Sequence, residues 1–279
     1  DDILVSIFVY FFATLGVYGN LSFIWTIYHV KELQNARSIL LSCLCTMHVM
    51  VLTNFVSSRV FYMYGLITTH HTCRLLYTFP PGIYAASHHA MLYCVLVIDI
   101  IISLRIPLRY YSPNRTKYVI LMQLPCFIYG SGLVIADFFF TSNNTDIIST
   151  QCLFANVYEP QVSNFRIQFG NVLNVTILLL YLVVVLLLFT NKHVRAKRKP
   201  ISSVMILAAI FLLSQFLVFA VAYVGNFVDT HYASYILAFH KKYAIVYALP
   251  SYSLTYYVHF AISTDYRKGL SRTGLCGVY

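Results

Sequence analysis

The chain has 279 residues, of which 59% are hydrophobic and only 10% charged, with a mean hydropathy of +0.71. A soluble domain of this size carries about 25% charged residues, so a fold with a fully solvated surface is excluded. Long apolar runs in place of ten-residue alternating strands exclude a transmembrane barrel. The net charge of +10 does not point to nucleic acid, because the basic residues sit in short clusters between apolar spans, the pattern that encodes membrane orientation.

Seven apolar spans are predicted, over roughly 3–29, 37–64, 74–105, 118–141, 165–190, 201–226 and 239–262. Each exceeds the roughly 20 residues that a helix needs to cross the hydrocarbon. The expected fold class is therefore an all-α membrane protein, one seven-helix domain over 1–279, closed by a short surface helix over 263–270. An odd number of spans puts the termini on opposite sides. With the N-terminus outside, Lys31, Arg37, Arg105, Arg109, Arg115, Lys117, Lys192, Arg195, Lys197, Arg198, Lys199, Arg267, Lys268 and Arg272 are all cytoplasmic, which is 14 of the 19 basic residues. Arg59, Arg74, Arg166, Lys241 and Lys242 remain at the outer ends of spans. This bias predicts an extracellular N-terminus and a cytoplasmic C-terminus in the plasma membrane. The start, Asp1-Asp2, has neither the basic n-region of a cleaved leader nor an initiator methionine, so a trimmed start is expected.

In chain order, the first span holds Gly19-Asn20 and the only tryptophan, Trp25. An asparagine in lipid must face a neighbouring helix. The second span carries His48. The third opens after Cys73 and contains Pro80-Pro81, which removes two backbone donors and loosens the outer turn. Tyr84, Ser87 and His88 follow at helical spacing, and either line an upper cavity or pack against the second and fourth helices. The span closes on Ile98-Asp99-Ile100 and then Arg105-Ile106-Pro107-Leu108-Arg109-Tyr110.

The fourth span contains Pro125 and the small run Gly130-Ser131-Gly132, a packing face by size. The long outer loop that follows carries the glycosylation sequon at Asn143 and a cysteine, Cys152. Cys43, Cys45, Cys94 and Cys126 lie inside spans and read as small core residues. Cys73 and Cys152 fall in loops on one common side and are the expected disulfide. The fifth span has Tyr181 in its inner half. The third inner loop, Asn191 to Pro200, is short and densely basic and enforces topology. Contact of Lys197 and Arg198 with a G protein or with acidic headgroups is a further expectation. The sixth span carries Phe211-Leu212-Leu213-Ser214-Gln215-Phe216-Leu217 and no proline, whereas Pro250 kinks the seventh. The segment after it places Tyr266 on an apolar side and Arg267 and Lys268 on a polar side, as a surface helix requires. Cys276 is either a lipidation site or a chance cysteine.

The run from Ile98 to Tyr110 resembles the end of the third helix in rhodopsin-like seven-helix receptors. There an acidic-arginine-aromatic triplet is followed, eight residues after the acid, by Pro-Leu-Arg-Tyr. Here Asp99 is the acid and Pro107-Leu108-Arg109-Tyr110 is present, but Ile100 replaces the arginine. Together with Tyr257-Val258-His259-Phe260 and Ser263-Thr264-Asp265-Tyr266-Arg267, this resembles the nematode serpentine chemoreceptors of the Srsx class.

The resemblance implies a receptor with agonist among the outer halves of helices three, five, six and seven, and a heterotrimeric G protein at the cytoplasmic face. Tyr84, His88, Arg166, Phe169, Phe219, Tyr223, Tyr243 and Tyr247 are the expected wall. So many phenols favour a small, moderately polar or aromatic ligand. Gly19-Asn20 resembles the family pair that ties helices one, two and seven. His48 stands where the family's sodium-binding carboxylate sits, and His89, ten residues before Asp99, aligns with a partner of that pocket. The two imidazoles either share a hydrogen bond or proton, or each bonds a nearby carbonyl. A sodium site is not expected, since hard cations want oxygen ligands. The sequence departs from the family in lacking the fourth-span tryptophan, the fifth-span proline and the tryptophan and proline of the sixth. Thr255 to His259 stand in place of Asn-Pro-x-x-Tyr.

Without its neighbouring arginine, Asp99 needs another cation, and Arg105 and Arg109 are the expected candidates, Arg109 through a loop folding back after Pro107. Otherwise the receptor couples weakly or within an oligomer. A neuropeptide receptor of the same fold is the alternative, with Asp1, Asp2, Asp146, Glu159 and Asp229 as an acidic vestibule. A transporter is disfavoured, because no internal repeat divides seven spans into halves. No enzyme constellation, cofactor or metal is expected.

Mass spectrometry of unreduced peptides should find Cys73 joined to Cys152, a bridge contributing about 2–4 kcal/mol. Two free thiols would remove it.

Overall fold

The computed structural model describes residues 2–64, 82–105, 114–140, 160–190, 198–227 and 245–273, with backbone alone at 2, 62, 160, 198–200 and 218–227. The helices are α1 (Asp2–His29), α2 (Ala36–Met63), α3 (Gly82–Arg105), α4 (Arg115–Phe139), α5 (Pro160–Thr190), α6 (Arg198–Phe227), α7 (Thr255–Ile262) and α8 (Thr264–Arg272). Residues 245–253 form the first described part of the seventh membrane helix, which bends at Leu254 and continues as α7. Among the described residues five helices are long and apolar enough to cross a membrane, and a sixth apolar stretch runs over Ile201–Leu217. The fold is a bundle of seven membrane helices with a surface helix after the last. In lipid the backbone must satisfy its own polar groups, so an apolar run of this length has no other compact option.

The predicted spans and the helices differ mainly at the ends. The fourth helix starts at Arg115 and the fifth at Pro160, earlier than 118 and 165. Hydropathy marks the part in hydrocarbon, while the hydrogen-bond ladder runs on into the headgroup layer. Pro160 suits a first helical position, where no amide donor is required. Of the third span, 74–81 lie outside the described residues.

Local signals set the turns at the basic end. A short 3-10 turn, Lys31–Leu33, follows α1, and the side chain of Asn35 then accepts a bond from the Ser38 amide at 3.0 Å, capping α2. Ser263 caps α8 in the same way, accepting from the Tyr266 amide. Arg267 donates to the carbonyls of Phe260 and Ala261 at 3.1 and 2.8 Å, filling the orphan acceptors at the end of α7. The α8 helix docks through Tyr266, whose ring stacks on Phe23 at 5.0 Å, while Arg267 and Lys268 face outward. This is the amphipathic arrangement that the sequence predicts.

The packing is centred on α3. In its apolar stretch 67% of residues are buried, against 17% in α5, whose outward Val, Leu and Phe side chains are left for lipid. One apolar cluster draws on all eight helices toward the basic end. A second, toward the opposite end, is built from α1, α2, α3 and residues 245–253. Glycines allow the closest approach. A methyl at Gly19 would come within 2.9 Å of Tyr256 Cβ, and one at Gly16 within 2.8 Å of Ser253 Oγ and 3.0 Å of Ser253 Cα. In the fourth helix the small run divides: Gly130 seats the ring of Tyr84, whereas Gly132 faces open space. Only half of the expected packing face is therefore used against the described residues.

Gly16→Val should lower the melting temperature of the purified protein, because overpacking against backbone costs about 1–3 kcal/mol. Gly132→Ala should leave it unchanged. Equal melting temperatures for both variants would contradict this contact geometry.

Candidate functional site

Two polar clusters interrupt the apolar interior, one at the basic end and one at mid-depth. The first is built on Asp99 of α3, whose side chain is completely buried. Its Oδ2 accepts from Arg37 Nε at 2.9 Å, and its Oδ1 accepts from the hydroxyl of Tyr118 at 2.9 Å. Arg37 also donates through Nη2 to Ser103 Oγ at 2.7 Å, and Ser103 in turn donates to the carbonyl of Ile100 at 2.8 Å. Ser103 lies one turn beyond Asp99, so one arginine spans two sites on the same face of α3.

The chemistry of this cluster is that of a desolvated carboxylate. Such a group must be paired and hydrogen-bonded, and here α2 supplies the cation and α4 the phenol. Arg37 sits in the first turn of α2, where the helix dipole disfavours a positive charge. Asp99 accounts for that placement. Ile100 is fully buried in the core, occupying apolar space rather than a polar role. Arg105, named from the sequence as a partner for Asp99, is instead exposed on the last turn of α3. Its place is taken by Arg37, which the sequence reading had counted only as a topological charge. Pro107, Arg109 and Tyr110 lie outside the described residues.

The second cluster joins His48 of α2 and His89 of α3, with ring centroids 5.7 Å apart at 66°. Both residues are buried. His48 Nδ1 lies 3.2 Å from Thr255 Oγ1 of α7, and His89 Nδ1 is bonded to the carbonyl of Ala86. The Tyr252 ring lies 5.4 Å from His48 and 4.8 Å from His89. Below them Tyr93 stacks on Phe211 of α6 at 4.3 Å and 17°. Asn20 reaches across from α1, donating through Nδ2 to the carbonyl of Tyr252 at 2.9 Å. Five membrane helices thus meet in one layer.

With these two clusters in place, the family comparison is decisive. The family model described as the serpentine type 7TM GPCR chemoreceptor Srsx matches residues 13–273. This chain belongs to the Srsx chemoreceptor family. No curated protein matches it in sequence. The match runs from Ala13, near the middle of α1, through α8, so both polar clusters fall within the family domain. This Srsx protein is a multi-pass membrane receptor of the G-protein-coupled class, and its family is a receptor family rather than an enzyme family.

The residues expected to line a ligand site are divided by the receptor's structure. His88 bonds Gln123 of α4 at 2.8 Å, and Tyr84 packs on Gly130 and Phe127, so these two lie in the α3–α4 seam. Of the two readings for them, packing against a neighbouring helix describes their contacts. Phe169 of α5 packs on Tyr129 of α4 at 4.6 Å and on Phe165 at 5.9 Å. Arg166 lies one turn earlier and, like Tyr247, is half-buried. Tyr243 lies outside the described residues, as do Cys73, Cys152, Asn143 and Lys197, and the side chains of Arg198, Phe219 and Tyr223.

Sequence reasoning passed over four residues that the structure makes prominent. Arg37 and Tyr118 sit at the polar ends of spans, where nothing in spacing distinguishes them from other flanking groups. Arg59 and Asp137 are buried in the outer parts of α2 and α4. A charge inside an otherwise apolar span was the available signal for both.

Truncating one partner of a buried ion pair takes a charged hydrogen bond from the other. Arg37→Ala should therefore cost about 3–5 kcal/mol of stability, and Tyr118→Phe about 1.5–3 kcal/mol, the value of one hydrogen bond to a charged group. Thermal unfolding in detergent checks the order. Two variants as stable as the parent would show that Asp99 is not held this way.

Proposed function

We propose that this Srsx receptor binds a small molecule in the outer half of its bundle and signals to a heterotrimeric G protein through its basic end, with the Arg37–Asp99 pair as its resting lock. The observation that carries the proposal is the bond from Arg37 Nε to the buried Asp99 carboxylate at 2.9 Å. It joins α2 to α3 at the end where the exposed Lys31, Arg105, Arg115, Lys117, Arg267 and Arg272 also cluster. Charge of that sign favours the cytoplasmic side, with the N-terminus outside and the receptor in the plasma membrane. A basic cytoplasmic face suits the acidic surfaces of lipid and protein partners.

In this reading Asp99 holds the inner ends of α2, α3 and α4 together through Arg37 and Tyr118 until agonist binds. The α3–α6 contact of Tyr93 on Phe211 lies between the outer half and this lock, and offers the mechanical link. Arg166, Phe169 and Tyr247, with Phe219, Tyr223 and Tyr243, are the proposed ligand wall. Its aromatic character supports small, moderately polar or aromatic agonists. Tyr84 and His88 would act behind that wall, by fixing α4 against α3.

At matched surface expression, Asp99→Asn should raise agonist-independent nucleotide exchange on the partner G protein by about fivefold or more, the lower end of typical coupling free energies. Arg37→Gln should do the same. Normal surface expression of Asp99→Asn with unchanged basal activity and unchanged agonist response rules the lock out.

A further inference from the structure

The histidine cluster carries a requirement that its protein contacts do not meet. His48 and His89 are 0% and 2% exposed, and neither Nε2 atom has a hydrogen-bond partner among the described residues. A buried polar atom without a partner is costly, and native interiors supply one from protein, water or an ion. We propose that a single water molecule is bound between His48 Nε2 and His89 Nε2, linking α2 to α3 at the layer where α7 and α6 also meet.

The proton arithmetic selects this ligand. His89 Nδ1 is bonded to the Ala86 carbonyl, which can only accept, so Nδ1 carries the hydrogen and Nε2 presents a lone pair. His48 Nδ1 faces the hydroxyl of Thr255, which either donates or accepts. If His48 Nδ1 donates, both Nε2 atoms are acceptors and need a species with two donors between them. If it accepts, His48 Nε2 is a donor and His89 Nε2 an acceptor. Water satisfies both arrangements, because it donates twice and accepts as well. Ring centroids 5.7 Å apart keep the two imidazoles within reach of one bridging molecule.

Cations fit less well. Sodium prefers carboxylate and carbonyl oxygens, and imidazole nitrogen is a poor match for it. A zinc or copper ion suits imidazole, but its charge would stand uncompensated in lipid. Asp99 is ten residues along α3, about 15 Å away, and is held by Arg37. Among the described residues no group of three or more His, Cys, Asp or Glu is positioned to hold a metal.

The bridge explains why two histidines replace a carboxylate at this depth. It ties α2 to α3 without placing a charge in the core, while Thr255 ties α2 to α7 through the other edge of the His48 ring. Agonist response should accordingly be the same in sodium and in potassium. This inference does not depend on the Arg37–Asp99 lock, and the two stand or fall on different variants.

The direct test is a structure of the whole receptor at a resolution that shows ordered water, prepared in sodium, in potassium and with added zinc. The expected result is a density peak about 2.7–3.1 Å from both Nε2 atoms, present in all three and without anomalous signal at the zinc edge. A peak about 2.0–2.1 Å from the nitrogens with zinc anomalous signal overturns the proposal in favour of a metal. No peak overturns it outright, as does a sodium-dependent peak. Melting temperatures give an independent readout through a double-mutant cycle. His48→Leu and His89→Leu should each lower the melting temperature by about 2–4 °C, since each leaves the water one partner short. The double variant should lose clearly less than the sum, and strictly additive losses overturn the proposal.

Discussion

A carboxylate with no exposure to solvent has to be neutralised where it stands, and the basic end of this receptor is arranged around that constraint. Asp99 lies on the most buried of the five helices long enough to cross a membrane among the described residues. Its two oxygens draw in a guanidinium from α2 and a phenol from α4. Each partner would be poorly placed without it. Arg37 stands at a helix N-terminus, where its charge opposes the dipole, and Tyr118 has a hydroxyl that needs an acceptor. A buried pair of this kind adds little net stability over an apolar replacement, since desolvation offsets most of the attraction. Its value lies in specifying which helices sit together.

Polar pairing of the same sort recurs at mid-depth, but there the groups are neutral. Imidazoles, phenols and an amide replace ions, and they are aligned along the seam between α1, α2, α3 and the seventh helix. Close backbone approach is what allows short side chains to reach across that seam. Gly16 and Gly19 let α1 come near Ser253 and Tyr256, and only then does Asn20 meet the carbonyl of Tyr252. The amide alone would not hold α1 in place, since hydrogen bonds between membrane helices are worth only about 1 kcal/mol. The glycine contacts supply the packing.

The bundle was legible in the sequence because its main determinant, uninterrupted apolar length, is a local property. The surface helix was legible for a related reason: the alternation of Tyr266 and Leu270 with Arg267 and Lys268 is also local. The pairing of Asp99 with Arg37 was not. Spacing along α3 favours Arg105 and Arg109, which are near in sequence, whereas Arg37 is 62 residues away and is brought close by helix packing. Tyr84 and His88 show the same limit. Their spacing establishes a common face of α3 but not which neighbour that face meets, and the answer depends on Gly130 and Gln123 of α4. His48 and His89 could be paired in advance only through the family resemblance, which supplied the missing long-range information.

The loss of the helix-three arginine then has a structural consequence beyond its own position. An arginine beside Asp99 would be tethered to the same helix, so breaking the pair would free one side chain and leave the helices where they were. Supplying the cation from α2 makes the pair an interhelical tie, and α4 adds a second through Tyr118. Any displacement of α3 relative to α2 must stretch bonds of 2.9 Å and 2.7 Å at once. Ile100, next along α3, is fully buried in the apolar core and brings no charge of its own to that site. Isoleucine at the position of the rhodopsin-like arginine is thus compatible with a receptor of this class when another helix supplies a cation to Asp99.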